Sequence, residues 1–508
     1  MTESKGTRGR IVMLVDNEVR FDSRVQKEAA SAAERGWEVV LLGKPRHQRD
    51  AATWPIGRAK ARTISVPPIM GRRNQENRRG LFRSPFAYPQ EKIASYRTQQ
   101  IKAWKADVRF RAAALSTRRG PMALLSRGWL AVSLVVAKIA GRWVSFRVAQ
   151  LTALQLHRRA MDRPFEKFMT RWWQLTMGDR SWRKLDPGAW DWELALGPVI
   201  DKLRPDLIHA NDQRMLAVGA RAATRAKAKG RDVKLVWDAH EFLPGTKPKA
   251  SDLRWHPAQI ALERNFVPFA DAVVTVSERL ADLLVVEHGL TERPAIVLNA
   301  PVLTDKAIDD SFLDVRAQCG LPADTPLMVY SGGVATQRGV SVIIESLPAL
   351  ETLHLALIVS SMEDPNLLAL LDRADELGER ERVHVLPYVP VADIVPFLST
   401  ADIGAIPIHH WPNHEIALIT KFFEYSHARL PIVVSDVETM ATMVRKTGQG
   451  EVFRVGDVPG FVEATKALLA DKDRYVRTYD APGLLEAWTW ELQAEELDRV
   501  YSRLLPGR

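Results

Sequence analysis

One cysteine, Cys319, stands in a chain of 508 residues. A disulfide framework and a cysteine-ligated zinc cluster are thereby excluded within the chain, and a reducing compartment is favoured. Long apolar runs are scarce as well. Ile11–Val15 ends at Asp16, too soon for the apolar region of a signal peptide. Trp129–Ala137 is interrupted by Ser133 and closed by Lys138. That falls short of the ~20 residues a spanning helix needs. The expectation is a soluble cytoplasmic protein, or one resting on the inner face of a membrane without crossing it. No G-K-S/T loop, G-x-G-x-x-G or G-x-S-x-G is found, so a Walker site, a dinucleotide fingerprint and a serine-hydrolase elbow are unsupported.

Acidic residues are scarce in one stretch. From Gly71 to Leu185 there are 25 Lys/Arg against 6 Asp/Glu, a net of +19 in a chain whose total is +10. The remainder therefore carries −9. Six of the 15 tryptophans fall in the same stretch. A nucleic-acid binder would be one reading. A basic, Trp-rich insert in an otherwise acidic protein fits a local attachment surface better, and no nucleic-acid partner is expected.

What is present is a repeated alternation. Short β-branched runs such as Ile11–Val15, Glu38–Leu42, Lys234–Trp237 and Ala272–Val276 are followed by helical patterns. Asp22 is placed to cap a helix running to Arg35, with Val25, Ala29 and Ala32 on its apolar side. After a Pro- and Asp-containing linker at Asn299–Asp310 the alternation resumes at Leu327–Ser331, Leu353–Val359, Val383–Leu386, Ile403–Ile406 and Pro431–Val434. The pattern predicts an α/β protein with two Rossmann-like, doubly wound domains facing a cleft. The expected divisions are 1–305, carrying a basic, mostly helical insert at 45–190; 306–480; and a C-terminal helix within 481–508 that packs back on the first domain.

Ligands of such sheets bind beyond strand C-termini. Tyr330–Gly339 follows a strand there. Gly332 and Gly333 allow close backbone approach, and Arg338 with a helix N-terminus makes a phosphate site or, read plainly, a tight turn with a surface arginine. Lys421 and Glu424 share a helix face. They are either a surface ion pair or a clamp for a nucleotide's leaving group and ribose. Ile208–Asp212 and Trp237–Glu241 put His209, Asn211, Asp212, His240 and Glu241 straight after strands, as site residues or helix caps. His409, His410, His414 and Glu415 read as a polar loop rather than a metal site, because Pro412 opposes a regular helix.

Together these stretches resemble the GT-B glycosyltransferases, in particular the retaining group numbered family 4. The resemblance rests on Asp22–Ala29, Gly36–Val39, Ile208–Asp212, Trp237–Glu241, Glu263 with Ala270–Ser277, Leu298–Pro301, Gly332–Gly339 and Lys421–Tyr425. It covers roughly 11–44 and 190–475. Departures are Asn211 where a second histidine is usual, Gly332 where an arginine is usual, and Glu415 one place off the position paired with Glu424.

The resemblance implies retaining transfer of a hexosyl group from a nucleotide-diphosphate sugar to an acceptor hydroxyl. The acceptor would be lipid-linked or a saccharide, in cell-envelope polysaccharide or glycolipid synthesis. It implies Arg338, Lys421, His240 and Asn211 in catalysis. Gly332, Gly333, Arg338, Lys421, Glu424 and Glu415 would hold the donor. No metal and no separate cofactor are expected, since protein cations take the diphosphate charge and the leaving phosphate can itself act as base. Two other readings stay open: a GT-B-like epimerase or phosphorylase, and a degenerate GT-B module that only binds membrane or partners.

The insert carries a further expectation. Val132, Val135, Ile139, Trp143 and Phe146 share a helix stripe, while Lys138 and Arg142 lie on another side. Arg158, Arg159, Arg163, Lys167 and Arg171 would continue the basic face into Trp172 and Trp173. Peripheral membrane contact through 71–185 is expected on that ground, against a helical subdomain that buries the stripe on the core.

Overall fold

A computed structural model describes residues 7–20, 22–46, 52–71, 86–115, 120–159, 162, 164–249, 251–303, 314–390, 393–416 and 418–507. Two sheets organise them. The first runs β3-β4-β2-β1-β5-β6-β7-β8. Its strands are β1 (Arg10–Leu14), β2 (Glu38–Gly43), β3 (Thr53–Ile56), β4 (Ala59–Thr63), β5 (Leu207–Asn211), β6 (Lys234–Ala239), β7 (Ala272–Thr275) and β8 (Ala295–Ile296). The second runs β11-β10-β9-β12-β13-β14. Its strands are β9 (Leu327–Ser331), β10 (His354–Val359), β11 (Val383–Pro387), β12 (Ile403–Ile406), β13 (Ile432–Ser435) and β14 (Gly450–Phe453). All neighbours pair in parallel except β3 with β4.

Strand order reverses between β1 and β5 in one sheet and between β9 and β12 in the other. A crevice opens at each reversal, where loops diverge to opposite faces. Val15 and Asp212 follow the strands at the first crevice; Gly332 and Pro407 follow those at the second.

The helices of eight or more residues are α1 (Ser23–Glu34), α2 (Glu91–Leu115), α3 (Pro121–Arg159), α4 (Pro164–Met177), α5 (Ala189–Leu203), α6 (Asp212–Lys227), α7 (Trp255–Phe266), α8 (Glu278–His288), α9 (Pro365–Glu376), α10 (Thr420–His427), α11 (Glu438–Thr447), α12 (Val458–Ala470) and α13 (Trp490–Leu504). Asp22 caps α1 through the Val25 amide at 3.3 Å, and Val25, Ala29 and Ala32 are buried beneath it. The linker Asn299–Asp310 lies partly outside the described residues.

α13 returns to the first sheet. Trp490, Ala494, Leu497, Val500 and Tyr501 recur every three or four residues and enter one core with Ile11, Met13 and Val25. Arg8 fastens the end of the helix through Asp498 at 3.0 Å.

The insert differs from the expected helical block in three ways. It opens with strands: Ala59, Ala61 and Thr63 alternate inward, so β4 adds to β2 and β3 closes the edge. It then divides. α4 belongs to the first domain, because buried Glu166 pairs with Arg254 and Trp173 packs on the core. Lys167 and Arg171 therefore do not continue a face of α3. Arg163 and the side chains of Arg158 and Arg159 lie outside the described residues. Finally, α3 is one unbroken helix of 39 residues, and Pro121–Leu156 is long and apolar enough to cross a membrane by length and composition. The short run at Trp129–Ala137 understated this. A helix tolerates Lys138 and Arg142 inside an apolar span, since single charges do not interrupt its backbone bonding.

Truncating the anchor of α13 should loosen the first domain. Leu497→Ala is expected to cost about 2–5 kcal/mol, as for a buried leucine with little room to collapse, read as a lowered urea midpoint. An unchanged midpoint would mean that α13 is not part of the cooperative core.

Candidate active site

The second-domain crevice is built from a glycine turn and one helix. β9 ends at Ser331, whose amide donates to the Tyr425 hydroxyl at 2.9 Å. Gly332 turns with φ +135°, and a Cβ there would meet the Lys421 Nζ at 3.0 Å. Only glycine takes that conformation without strain. The helix expected just beyond Gly333 is instead a three-residue 3-10 turn, Thr336–Arg338, and the following helix starts at Ser341. Gly339 forces this break: it sits at φ +69°, where a Cβ would collide with the Pro407 carbonyl. The turn is tied to the β12 loop by the His409 amide, which donates to the Gln337 carbonyl at 3.0 Å.

Lys421 stands in the first turn of α10, with its Nζ 3.7 Å from the centre of the Tyr330 ring. Burial pushes its ammonium well below the usual lysine value, and Arg338 nearby lowers it further against the pull of Glu424. A helix N-terminus also disfavours a cation. Neither Lys421 nor Arg338 forms an ion pair with a described residue. Three positive features thus converge on one crevice, offset there only by the Glu424 carboxyl.

Glu424 lies on the same face of α10. Burial raises its carboxyl, while Lys27 and Lys421 pull it down. Lys27 comes from α1 of the other domain. It donates to Asn299 Oδ1 at 2.9 Å, and the Asn299 side-chain amide donates to Thr420 Oγ1 at 2.9 Å. Burial lowers Lys27 to about 8, with Arg24 adding to the effect. The pattern of α1 shows only a buried helix face, so nothing in the sequence marked Lys27 as a cleft residue.

Glu415 does not join this group. Its Oε1 accepts from His410 Nδ1 at 2.7 Å, and its Oε2 accepts from the Glu438 amide at the start of α11 at 2.7 Å. Both oxygens are spent on the β12 loop and on a helix cap. His410 also reaches Asp436 at 3.1 Å, while His414 Nδ1 lies 2.8 Å from the His409 carbonyl.

The opposing wall comes from the first domain. His240 is 21% exposed, with Nε2 3.2 Å from Asp238 and Nδ1 3.5 Å from Asp212. Burial disfavours its charge, but Asp238 and Asp212 outweigh that and raise it to about 10. Asp212, expected as a site residue or a helix cap, stands beside His240. It begins α6 at φ +62°, a strained conformation for a residue with a Cβ. Enclosure, opposed by His240 and reinforced by Asp16, Glu241 and Asp238, pushes its carboxyl up to about 7.

Asn211 is corrected. It is fully buried as the last residue of β5, and its side-chain amide donates to the Leu14 carbonyl at 3.0 Å. It fastens β1 to β5 and does not face the cleft.

Behind His240 lies a buried cluster. Arg24 donates to both oxygens of Asp238, at 2.8 Å to Oδ2 and 3.1 Å to Oδ1, and its Nε is 3.0 Å from Glu28. His209 contacts the Tyr501 hydroxyl at 2.7 Å. Glu28, His209 and Asp238 each place a ligand atom within 4.8 Å of the others, as a metal site would. Arg24 already supplies the cation among them.

The two walls touch beside the crevice. The Phe242 amide donates to Asn413 Oδ1 at 2.9 Å, and Ser277 Oγ donates to the Ile416 carbonyl at 2.5 Å. His240 and its neighbours therefore open onto the cleft that Arg338, Lys421 and Glu424 line from the other side.

Known proteins share this plan. A family model described as Glycosyltransferase Family 4 matches residues 157–306, and one described as Glycosyl transferases group 1 matches residues 325–471. The chain belongs to the GT-B glycosyltransferases of the family 4 type. Among curated relatives, the D-inositol 3-phosphate glycosyltransferase of Xylanimonas cellulosilytica is 26% identical over 48% of this chain and 60% of its own length. The lipopolysaccharide core biosynthesis glycosyltransferase LpsE of Rhizobium meliloti is 25% identical over 56% of this chain and 78% of its own. The chain spans about three fifths of the length of the first two relatives it matches. Sucrose-phosphate synthase from Thermosynechococcus elongatus superposes with a TM-score of 0.62 at 13% identity, covering 98% of this chain and 100% of the other. Anabaena HepE, solved in complex with UDP-glucose, gives 0.55 at 13%, covering 97% and 100%. Both likenesses concern the fold, and the two-domain GT-B fold agrees with the sequence expectation.

The turn at Gly339 holds Arg338 in place. Gly339→Ala should cost about 1–3 kcal/mol, the range for an added group without room, read by chemical denaturation. A variant as stable as the parent would show that the turn is not constrained by Pro407.

Proposed function

We propose that this protein transfers a hexosyl group from a nucleotide-diphosphate sugar to an acceptor hydroxyl, with retention of configuration. The observation that carries the reading is the pair Arg338 and Lys421 beside a glycine turn, neither in an ion pair with a described residue. A diphosphate supplies the missing charge. As the sugar–phosphate bond breaks, negative charge grows on the leaving oxygen, and preplaced cations stabilise it most at that moment. Glu424, facing the same crevice, accepts hydrogen bonds from the ribose hydroxyls. His240 and Asp212 meet the sugar and the acceptor from the opposite wall. Relatives that carry the name glycosyltransferase, and a neighbour solved with UDP-glucose, support a nucleotide-sugar donor.

The finer reading places the reaction in cell-envelope polysaccharide or glycolipid synthesis. The acceptor is lipid-linked or a saccharide, met on the cytoplasmic side at the inner face of the membrane through the basic 71–185 region. The transfer is read as metal-independent, because Arg338 and Lys421 perform the charge neutralisation a divalent ion would otherwise supply.

Arg338→Ala and Lys421→Ala are each expected to weaken transition-state stabilisation by about 2–3 kcal/mol, the value for a charge-assisted hydrogen bond. That is roughly 30- to 150-fold in turnover on the best donor of a nucleotide-sugar panel. Near-full turnover in either variant would remove the donor site from this crevice. Transfer should also persist in excess EDTA. Activity abolished by EDTA and restored by magnesium or manganese would contradict the metal-independent reading.

A further inference from the structure

α2 and α3 form an antiparallel pair that stands apart from both domain cores. None of their residues enters the cores of the two sheets; Leu151 and Ala94 close a small cluster of their own with Tyr88. The register is regular. Leu130, Ala137, Val144 and Leu151 recur every seven residues of α3, and Leu130, Ala137 and Leu151 are buried. On this side Gly141 meets Ile101 and Lys105 of α2.

A second side of α3 is apolar and largely exposed, with Phe86 packed against Trp143 near its end. Leu125, Trp129, Val132, Val136, Ile139 and Trp143 are between 46 and 73% exposed. At 3.6 residues per turn they share one line, about 120–140° around the helix from Leu130 and Ala137. Lys138 and Arg142 are exposed on a third side, with Arg142 nearer the apolar line. The helix contains no Asp or Glu in its 39 residues.

Crossing a bilayer does not suit this arrangement. α2 lies along the back of α3, and its exposed Lys102, Asp107, Arg109 and Arg111 would be carried into hydrocarbon. A helix with one apolar face, a basic flank and a polar partner on its back fits the plane of the interface.

We infer that α3 lies in the plane of an anionic bilayer surface, its Leu125–Trp143 face sunk into the acyl boundary and α2 covering its back on the water side. Lipid phosphates meet Arg142 and the long Lys138 side chain. This narrows the membrane contact of the reading above to one helix face. Insertion, more than surface charge, holds the protein there, so high salt does not release it. The contact is independent of the donor crevice, and nucleotide binding measured in parallel separates the two.

The test is flotation of the full chain with vesicles of phosphatidylglycerol and phosphatidylcholine, against phosphatidylcholine alone. The protein should float with the anionic vesicles and stay with them after a high-salt wash. Its tryptophan fluorescence should be quenched by lipids brominated on the acyl chain. A Trp129→Glu, Val136→Glu, Ile139→Glu variant should lower vesicle partition at least about tenfold, while its circular dichroism and its affinity for UDP stay those of the parent. These positions are exposed, so the fold does not depend on them. Lys138→Glu with Arg142→Glu should lose the preference for anionic lipid. The inference is overturned if the intact protein ignores anionic vesicles, if the triple variant floats as well as the parent, or if salt strips the protein and brominated lipid does not quench it. It is also overturned if the triple variant loses self-association instead of flotation.

Discussion

A lysine held against Tyr330 with no counter-ion is the constraint around which the second domain is arranged. Gly332 must lack a side chain because Lys421 Nζ occupies that space. Gly339 must lack one because the β12 loop lies against it, and that contact sets where Arg338 stands. α10 begins at this point and adds the positive end of its backbone dipoles. Each choice gathers basic groups where only Glu424 offsets them, and burial disfavours the lysine's charge until an anion arrives. Such a site is costly when empty and favourable when an anion arrives, which is how binding energy is reserved for a ligand.

The first domain solves the reverse problem. Asp238, Glu28 and Asp212 crowd acidic groups beside the β1/β5 crevice, and Arg24 and His240 offset them, while burial disfavours charge on His209. The cluster is tied at one end to α13 through Tyr501 and opens at the other through His240. Lys27 joins the two halves by reaching Asn299, which in turn holds Thr420 beside the lysine of the donor crevice. The cleft is therefore electrostatically polarised: cationic on the second domain, mixed and titratable on the first.

Much of the sheet architecture was legible because buried parallel strands read as continuous β-branched runs. β3 and β4 escaped notice because an edge pair alternates with charged residues, as in Ala59-Lys-Ala-Arg-Thr63, and β8 is two residues long. The grouping of Gly332 and Arg338 after β9 with Lys421 and Glu424 on α10 was legible from their place in the pattern, and their donor role is the proposal above. Asn211 was misread because position after a strand does not reveal side-chain direction, and its amide turns inward to the Leu14 carbonyl. Glu415 was misread because its partners, His410 and the start of α11, are set by tertiary packing. Lys27 and the strain at Asp212 have no local sequence signal. The helix α3 was half legible: its stripe could be counted, but not the partner α2 that decides which face remains open.

The most direct measurement of the central claim is calorimetric titration of a nucleoside diphosphate in mildly alkaline buffers of differing ionisation enthalpy. Burial disfavours the Lys421 ammonium, and an anion beside it favours that charge, so binding shifts the lysine toward its protonated form. The account predicts binding with net proton uptake, and loss of that uptake in Lys421→Met. Absence of binding, or binding with the same proton linkage in both proteins, would contradict it.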